Sequence, residues 1–138
     1  MPDCLFCRIV VDDPDAHVLA TDDAVGFLDI RPLFHGHVLV VPRTHWVTLD
    51  EVPPEALAPL MAAVQLAMRA VTRATDCAGH FVASNNVVSQ SVPHLHWHVV
   101  PRTRGDGLRG FFWPRTRYED GELDVWRTRL RDAVDAES

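Results

Sequence analysis

The stretch HLHWHVVP, residues 94–101, places three histidines on alternate positions of a short apolar segment. Strict alternation among aromatic and β-branched residues predicts a β-strand rather than a helix. Successive side chains of a strand point to opposite faces, so His94, His96 and His98 are expected to line one face, about 7 Å apart along the strand. Three apolar residues are expected to share the other, buried face: Leu95, Trp97 and Val99.

The rest of the chain contains further short strands and two predicted helices. Apolar residues at spacings of three and four predict a helix from Pro54 to about Thr75, and a last helix is expected from Glu122 to Ala136. Strands that follow one another with short connections, interrupted by one helix, indicate an α+β fold with an antiparallel sheet of about five strands. The four other predicted strands are His17–Thr21, Ala24–Ile30, His37–Pro42 and Gly79–Asn86.

The length of 138 residues suits one domain, with a core over about residues 4–101 and a tail with a helix over 102–138. The net charge of −6 argues against nucleic acid or an anionic membrane as a partner. No apolar run approaches the ~20 residues that span a bilayer, and the N-terminus is too short and acidic for a signal peptide. A cytoplasmic location is therefore expected.

All 13 basic residues are arginines, and neither of the two common glycine-rich phosphate-binding motifs is present. A phosphate site in this chain must therefore use arginine, histidine, serine and backbone amides. Five arginines lie within residues 102–117, where they either form a solvated loop or face a phosphate; the sequence leaves both alternatives open.

Two chemistries suit imidazoles that are aligned on a strand. Three neutral imidazoles can hold a catalytic zinc, or one imidazole can attack phosphorus, because a large fraction is free base at neutral pH. Residues 82–100 contain no Asp or Glu that could orient metal ligands. They contain uncharged donors suited to phosphate and ribose instead, which favours nucleophilic catalysis and leaves a zinc-dependent hydrolase as the alternative. These donors are Ser84, Asn85, Asn86, Ser89, Gln90 and Ser91.

Four separate segments resemble the histidine triad family, in the order expected for it, from Cys4 to Pro101. QSVPHLHWHVVP is similar to the family signature, CLFCRIV to its N-terminus, AVGFLDIRP to its ribose-binding strand and HGHVLVVPRTH to the stretch with a fourth histidine. The resemblance implies a homodimer whose sheets join edge to edge. It also implies hydrolysis or nucleotidyl transfer at the α-phosphate of a purine nucleotide derivative through a nucleotidyl-histidine, without a catalytic metal or organic cofactor.

The resemblance leaves the type of enzyme open between a nucleoside phosphoramidase and a dinucleoside polyphosphate hydrolase. A nucleotide-binding regulator with slow turnover is the alternative from another functional class, since the same residues bind and react. Phe111, Phe112 and Trp113 form an aromatic cluster in the tail. Trp113 is expected either to reach the site of a neighbouring subunit and shape the choice of leaving group, or to cover its own core with the two phenylalanines.

The resemblance assigns roles to individual residues. It makes His96 the nucleophile, His98 and His37 its companions around the α-phosphate, Ser91 a donor to the phosphate or leaving group, and His94 the residue that orients His96. Asp29 matches the carboxylate that binds the ribose hydroxyls. The loop from Asn85 to Gln90 is shorter than usual and lacks the family's glycines. The remaining candidates for nucleotide binding are Asn85, Gln90, Phe6, Ile9, Phe27 and Leu28.

The pair Cys4 and Cys7 forms a lone C-x-x-C motif, which by itself predicts little. Some bacterial members of the resembled family hold a structural zinc with two such cysteines and two histidines, matched here by His45 and His94. Two thiolates and two imidazoles complete a tetrahedral zinc site with no open position, so the metal would be structural. We expect zinc in this site.

Overall fold

The computed structural model describes residues 3–109 and 114–137. Its five strands form one sheet of order β1-β2-β3-β5-β4, in which every neighbouring pair is antiparallel. This confirms the predicted α+β class, and the structure adds a short first helix to the two that were expected. The strands are β1 (His17–Ala20), β2 (Ala24–Leu28), β3 (Val38–Pro42), β4 (Gly79–Ala83) and β5 (Trp97–Arg102). The helices are α1 (Leu5–Asp12), α2 (Pro54–Thr75) and α3 (Glu122–Glu137).

The two faces of the sheet are covered by different helices. The apolar stripe of α2 packs on one face in a cluster with Val38, Val40, Leu95 and Val99, and Trp97 lies against it. Phe6 and Val10 of α1 pack on the other face. The alternation predicted for the histidine segment is thus present, because its apolar residues face α2 and its histidines face the side of α1.

The histidine strand begins later than predicted, at Trp97 rather than His94. The preceding residues are held by a loop instead of a neighbouring strand, since the N–H of Leu95 donates to the carbonyl of Trp46 at 2.7 Å. The ring of His94 bonds to the carbonyl of Pro42 at 2.9 Å. Only His98 therefore belongs to β5, whereas His94 and His96 lie just before it.

Helix α1 depends on the first cysteine. Cys4 is its N-cap, and its sulfur accepts a hydrogen bond from the N–H of Cys7 at 3.4 Å. The helix has 8 residues and buries only Phe6 and Val10. Two turns are too short for a periodic apolar pattern to stand out in the sequence, and for this reason the helix was not predicted.

The chain divides into two compact units, Met1–Asp106 and Gly107–Ser138. The first unit contains the sheet with α1 and α2. The second contains α3, where Arg127 and Asp124 form an exposed ion pair with an N–O distance of 2.9 Å. Phe111, Phe112 and Trp113 lie outside the described residues. Within the described residues, no helix combines the length and apolar character needed to cross a membrane.

Candidate active site and metal centre

Four imidazoles come together where the segment before β3 meets the start of β5. The side chains of His37, His94 and His96 are only 0–2 % exposed. The ring centroid of His98 lies 5.2 Å from that of His96 and 5.1 Å from that of His37. The three histidines that the resemblance places around a phosphate thus form one cluster, with His37 supplied by the segment just before β3.

A main-chain carbonyl determines which nitrogen of His96 carries its proton. Nδ1 of His96 lies 2.8 Å from the carbonyl oxygen of His94. A carbonyl only accepts hydrogen bonds, so Nδ1 must carry a hydrogen and donate it. In the neutral ring, Nε2 of His96 is then left with a free lone pair, which is the form that a nucleophilic imidazole requires.

His37 and His98 are oriented by a main-chain donor. The N–H of Leu33 donates to Nδ1 of His37 at 3.1 Å, so this nitrogen has no hydrogen and Nε2 of the neutral ring carries it. Nε2 of His37 lies 2.9 Å from Nδ1 of His98 and donates to it. The neutral His98 ring therefore carries its hydrogen on Nε2, where it can donate to a phosphate oxygen.

Burial keeps these two rings in their neutral forms. Burial, together with the neighbouring rings of His96 and His37, lowers the pKa of His98 to about 4, although the charge of Asp29 acts in the opposite direction. Burial also lowers the pKa of His37, although the negative charge of Asp29 opposes this effect. Both histidines are thus uncharged at neutral pH, in agreement with the hydrogen bonds that assign their protons.

Asp29 lies beside the same pair of rings. Its Oδ1 accepts a hydrogen bond from the N–H of Arg31 at 2.8 Å, which fixes the carboxylate plane. Its Oδ2 lies 3.6 Å from Nε2 of His37. The carboxylate is partly exposed and carries a negative charge next to the cluster, which suits a donor such as a ribose hydroxyl.

The predicted base-pocket residues differ in their exposure. Phe6 and Phe27 are buried and meet edge to face with ring centroids 5.2 Å apart, and Phe6 also lies edge-on to His96 at 5.0 Å. Leu28 is 52% exposed. The half-buried Ile9 accepts a hydrogen bond at its carbonyl from His17. The aromatic pair therefore packs in the core between α1 and β2, while the exposed Leu28 can contact a ligand.

The loop after β4 is held by its own side chains. The amide of Gln90 donates to the carbonyl of Val47 at 2.6 Å and accepts from the N–H of Val87. The amide of the exposed Asn85 donates to the carbonyl of Ser89. Gln90 can therefore reach a nucleotide only by giving up one of these bonds. Val87 and Ser89 have φ of 73° and 63°, the region that the family's glycines would adopt without strain.

Ser91 is exposed and lines a cavity of about 600 Å³. The same cavity is lined by Cys4, His45 and Val47, whereas His96 and His98 do not border it. The predicted phosphate donor thus lies on the cysteine side of the site, in an open and mostly apolar depression.

The four predicted metal ligands converge. Nδ1 of His94 lies 3.4 Å from the sulfur of Cys4, 3.5 Å from that of Cys7 and 3.2 Å from Nδ1 of His45. The sulfur of Cys7 lies 3.2 Å from Nδ1 of His45. Zinc bonds of about 2.0 Å to nitrogen and about 2.3 Å to sulfur place tetrahedral ligand atoms about 3.3–3.8 Å apart. The observed separations are close to this range.

The position of the ring hydrogen on His94 also leaves a nitrogen free to bind a metal. Its Nε2 lies 2.9 Å from the carbonyl of Pro42 and must donate to it, which leaves the lone pair of Nδ1 directed at the cysteines. Burial lowers the pKa of His94 to about 4 and raises that of the Cys7 thiol. A cation would compensate the buried thiolates, so the chemistry of this donor set fits zinc.

A second group, Asp29, His37 and His98, also brings three possible metal-ligand atoms within 4.8 Å of one another. Its hydrogen bonds do not suit one. Nδ1 of His37 accepts from Leu33, so the neutral ring carries a hydrogen on Nε2, the atom that would have to bind the ion. A metal there would require His37 to lose its remaining ring hydrogen or to break its bond with Leu33.

Sequence reasoning missed the main-chain groups that prepare the site. The carbonyls of Pro42 and His94 and the N–H of Leu33 fix the protons of three rings. Every residue except proline carries both groups, so no pattern of side chains marks them. The signal that could have found one of them is Pro42 itself, which ends the apolar strand that faces the histidine segment.

Comparisons with known proteins identify the family of this chain. A HIT domain model matches residues 11–105. The chain is 33% identical over 114 residues to the Schizosaccharomyces pombe protein adenosine 5'-monophosphoramidase hnt1, covering 80% of this chain and 83% of that protein. It is 36% identical over 109 residues to the Arabidopsis thaliana protein adenylylsulfatase HINT3, covering 77% and 55% of the two chains. A zinc-bound histidine triad family protein from Mycobacterium smegmatis matches with a TM-score of 0.71 and 35% identity over 98% of each chain.

Proposed function

The chain belongs to the histidine triad (HIT) family, and from this premise we propose that it is a nucleotide hydrolase or nucleotidyl transferase that acts at the α-phosphate of a purine nucleotide derivative. The observation that carries the proposal is the free lone pair on Nε2 of His96, which follows from the bond between its Nδ1 and the carbonyl of His94. The similar proteins named as adenosine 5'-monophosphoramidase and adenylylsulfatase support an adenosine monophosphate conjugate as the substrate.

The reaction divides into two displacements. Nε2 of His96 attacks the α-phosphorus, the bond to the leaving group breaks, and a nucleotidyl-histidine forms. Water, or another acceptor, then attacks the same phosphorus and releases the nucleotide. Nε2 of His98 donates to a phosphate oxygen as negative charge develops there, and His37 holds His98 in the required tautomer. Asp29 binds the ribose hydroxyls, and Ser91 donates to the leaving group.

The covalent step is tested by trapping. Substrate labelled at the α-phosphate is mixed with excess enzyme, and the reaction is quenched in acid after a fraction of one turnover. Label attached to protein, and located on the peptide that contains His96, is the expected result. A β-label on a dinucleoside polyphosphate should leave the protein unlabelled, and absence of both labels at every time point would contradict the nucleotidyl-histidine.

We also propose a structural zinc held by Cys4, Cys7, His45 and His94. When bound, it would cross-link the N-terminal segment to the sheet and take no part in the phosphoryl chemistry. The donor set supports it, as does the zinc-bound relative from Mycobacterium smegmatis. The alternative, a zinc-dependent hydrolase that uses His94, His96 and His98, is disfavoured because the one free lone pair of His94, on Nδ1, faces the cysteine sulfurs. A measured turnover number separates the enzyme from the slow nucleotide-binding regulator.

The proposal includes a cytoplasmic homodimer built on β4. This strand pairs with β5 on one side and is the last strand of the sheet, so its other edge can pair with a second copy. Sedimentation at micromolar concentration tests it, with a dimer expected and a monomer as the contradicting result. The prediction that Trp113 reaches the neighbouring site depends on this dimer.

A further inference from the structure

The two cysteines of the metal centre lie at the start of α1, the helix that also carries Phe6, which forms a wall of the proposed nucleotide site. Phe6 is between Cys4 and Cys7 in the chain, and its ring lies edge-on to His96 at 5.0 Å and to His94 at 6.0 Å. Cys4 is the N-cap of α1, and the two sulfurs face His94 and His45 at 3.4 and 3.2 Å. The position of Phe6 is therefore set partly by contacts of sulfur with imidazole.

The two sulfurs can also react with each other. All four ligand atoms of the cluster lie within 4.8 Å of one another, so a movement of less than about 3 Å brings the two sulfurs to bonding distance. Two cysteines separated by two residues at the start of a helix form the arrangement that dithiol–disulfide couples use. Cys7 is half-buried, and Cys4 borders the open cavity of about 600 Å³, which a small oxidant can enter.

From these contacts we infer that Cys4 and Cys7 form a redox switch that controls nucleotide affinity through α1. The inference rests on the proposed zinc and nucleotide sites. In the reduced protein both thiolates bind the metal and hold the start of α1 against the sheet. In the oxidised protein a Cys4–Cys7 disulfide withdraws both sulfurs from the imidazoles, the metal leaves, and Phe6 is no longer held beside His96.

The oxidant is a peroxide. One thiolate attacks a peroxide oxygen, the O–O bond breaks, and hydroxide leaves, which gives a sulfenic acid. The second thiolate attacks the sulfenic sulfur, the S–S bond forms, and a second hydroxide leaves. The two sulfurs lose two electrons, which reduce the peroxide. His45 and His94 alone cannot complete a tetrahedral zinc site, so Zn²⁺ dissociates. A thiol reductant reverses the change by disulfide exchange.

The test uses the full-length, untagged, zinc-loaded protein and hydrogen peroxide. A chromogenic chelator measures released zinc, and mass spectrometry follows the tryptic peptide of residues 1–8, which contains both cysteines. Calorimetry measures the Kd for AMP before and after oxidation and after reduction. We expect about one zinc released per chain, a peptide lighter by two hydrogens, and AMP binding weakened about tenfold, restored by reductant.

Matched variants separate the switch from general oxidation. Cys77→Ser removes the third cysteine and should respond as the wild type does, whereas Cys4→Ser should show no peroxide-dependent change in AMP affinity. Zinc release without the lighter peptide, or the lighter peptide with an unchanged Kd, would overturn the inference. If the reduced protein does not bind AMP at all, the proposed function fails instead, while zinc release and disulfide formation still decide whether the thiols exchange metal for a disulfide.

Discussion

Two imidazole clusters meet at His94, and they differ in the main-chain groups that their rings contact. In the metal centre, Nε2 of His94 donates a hydrogen bond to a carbonyl, and the lone pair of Nδ1 faces sulfur. In the histidine cluster, Nδ1 of His96 donates a hydrogen bond to a carbonyl, and Nε2 keeps a free lone pair. His37 differs again, because its Nδ1 accepts from an N–H and its Nε2 must donate.

The comparison teaches that residue type and burial do not decide what a histidine does here. His37, His94 and His96 are equally buried, within 2 % exposure. When one ring nitrogen donates a hydrogen bond to a carbonyl, the other nitrogen of the neutral ring keeps a free lone pair, which suits a metal or phosphorus. When one ring nitrogen accepts a hydrogen bond from a main-chain N–H, the other nitrogen of the neutral ring carries the hydrogen and donates it. In the proposed mechanism, the backbone thus assigns the roles of ligand, nucleophile and donor to three chemically identical side chains.

The largest expected effect comes from deleting the free lone pair. His96→Ala should lower kcat by about 10⁴-fold, because no other group in the cluster has an unprotonated nitrogen directed at the phosphorus. AMP binding should stay within about tenfold, or ~1.4 kcal/mol. Steady-state kinetics and calorimetry measure the two quantities. His35→Ala changes an exposed histidine of the nearby turn and should leave kcat unchanged. A His96→Ala protein that keeps a substantial share of wild-type kcat would remove the distinction between the clusters.

Breaking the metal centre should affect stability rather than chemistry. Cys7→Ser should abolish zinc binding and lower the free energy of unfolding by about 3 kcal/mol, which corresponds to a Tm lower by about 10 °C. Its kcat should change less than about threefold, because His96 keeps its bond to the carbonyl of His94. Metal analysis, thermal unfolding and kinetics test this, with Cys77→Ser as the control. A kcat that falls and returns in proportion to zinc would show that the metal is catalytic.

A smaller effect is expected from the donor that orients His37. Leu33→Pro removes the N–H that bonds to Nδ1 of His37, whereas Leu33→Ala keeps it and serves as the control. The proline variant should lower kcat/KM by about tenfold, since His37 and then His98 can exchange tautomers. Nitrogen-15 NMR should show a changed tautomer in His37 with the zinc content unaffected. Equal kinetics for the two variants would argue against tautomer control.

The smallest effect concerns pH. The pKa of His98 is about 4 in the folded protein and ~6.5 in the unfolded chain, so the unfolded chain binds more protons between these values. Its contribution to stability is therefore complete above about pH 6.5 and is lost as the pH falls toward 4. The loss should stay below ~1.4 kcal/mol per pH unit, because the ring is partly exposed. Urea unfolding should show a flatter pH dependence for His98→Gln than for the wild type or the control His35→Gln.

The sequence predicted those parts of the fold that a repeating pattern marks. The sheet and α2 followed from periodicity, and the buried face of the histidine segment could be inferred because the residues between the histidines are apolar. The start of β5 could not be predicted, because the bond from Leu95 to Trp46 replaces a ladder that the alternation implied. Besides its shortness, helix α1 has a second property that hides it in the sequence: its capping atom is a cysteine sulfur, which is not among the side chains that usually mark a helix start.

The sequence predicted which residue types form the candidate site, but it could not predict which ring nitrogen of each histidine carries the hydrogen. The resemblance brought His37, His96, His98 and Asp29 together, and the structure places these side chains in one cluster. The protonation of each ring depends on a main-chain carbonyl or N–H whose position only the folded backbone fixes. Gln90 shows the same limit, since its partners are main-chain groups of Val47 and Val87.

The contact between Cys4 and His94 joins residues 90 positions apart, and this separation orders the assembly of the protein in time. During synthesis the cysteines leave the ribosome first, but one of their imidazole partners is made only after two thirds of the chain. The contacts between the cysteine sulfurs and His94 must therefore wait until the sheet is nearly complete, although Phe6 can pack on β2 earlier. Closing so long a loop is slow because its entropy must be lost before the contact can stabilise anything. Metal insertion would then be among the last events of folding, and would mark a chain whose nucleotide site is already assembled.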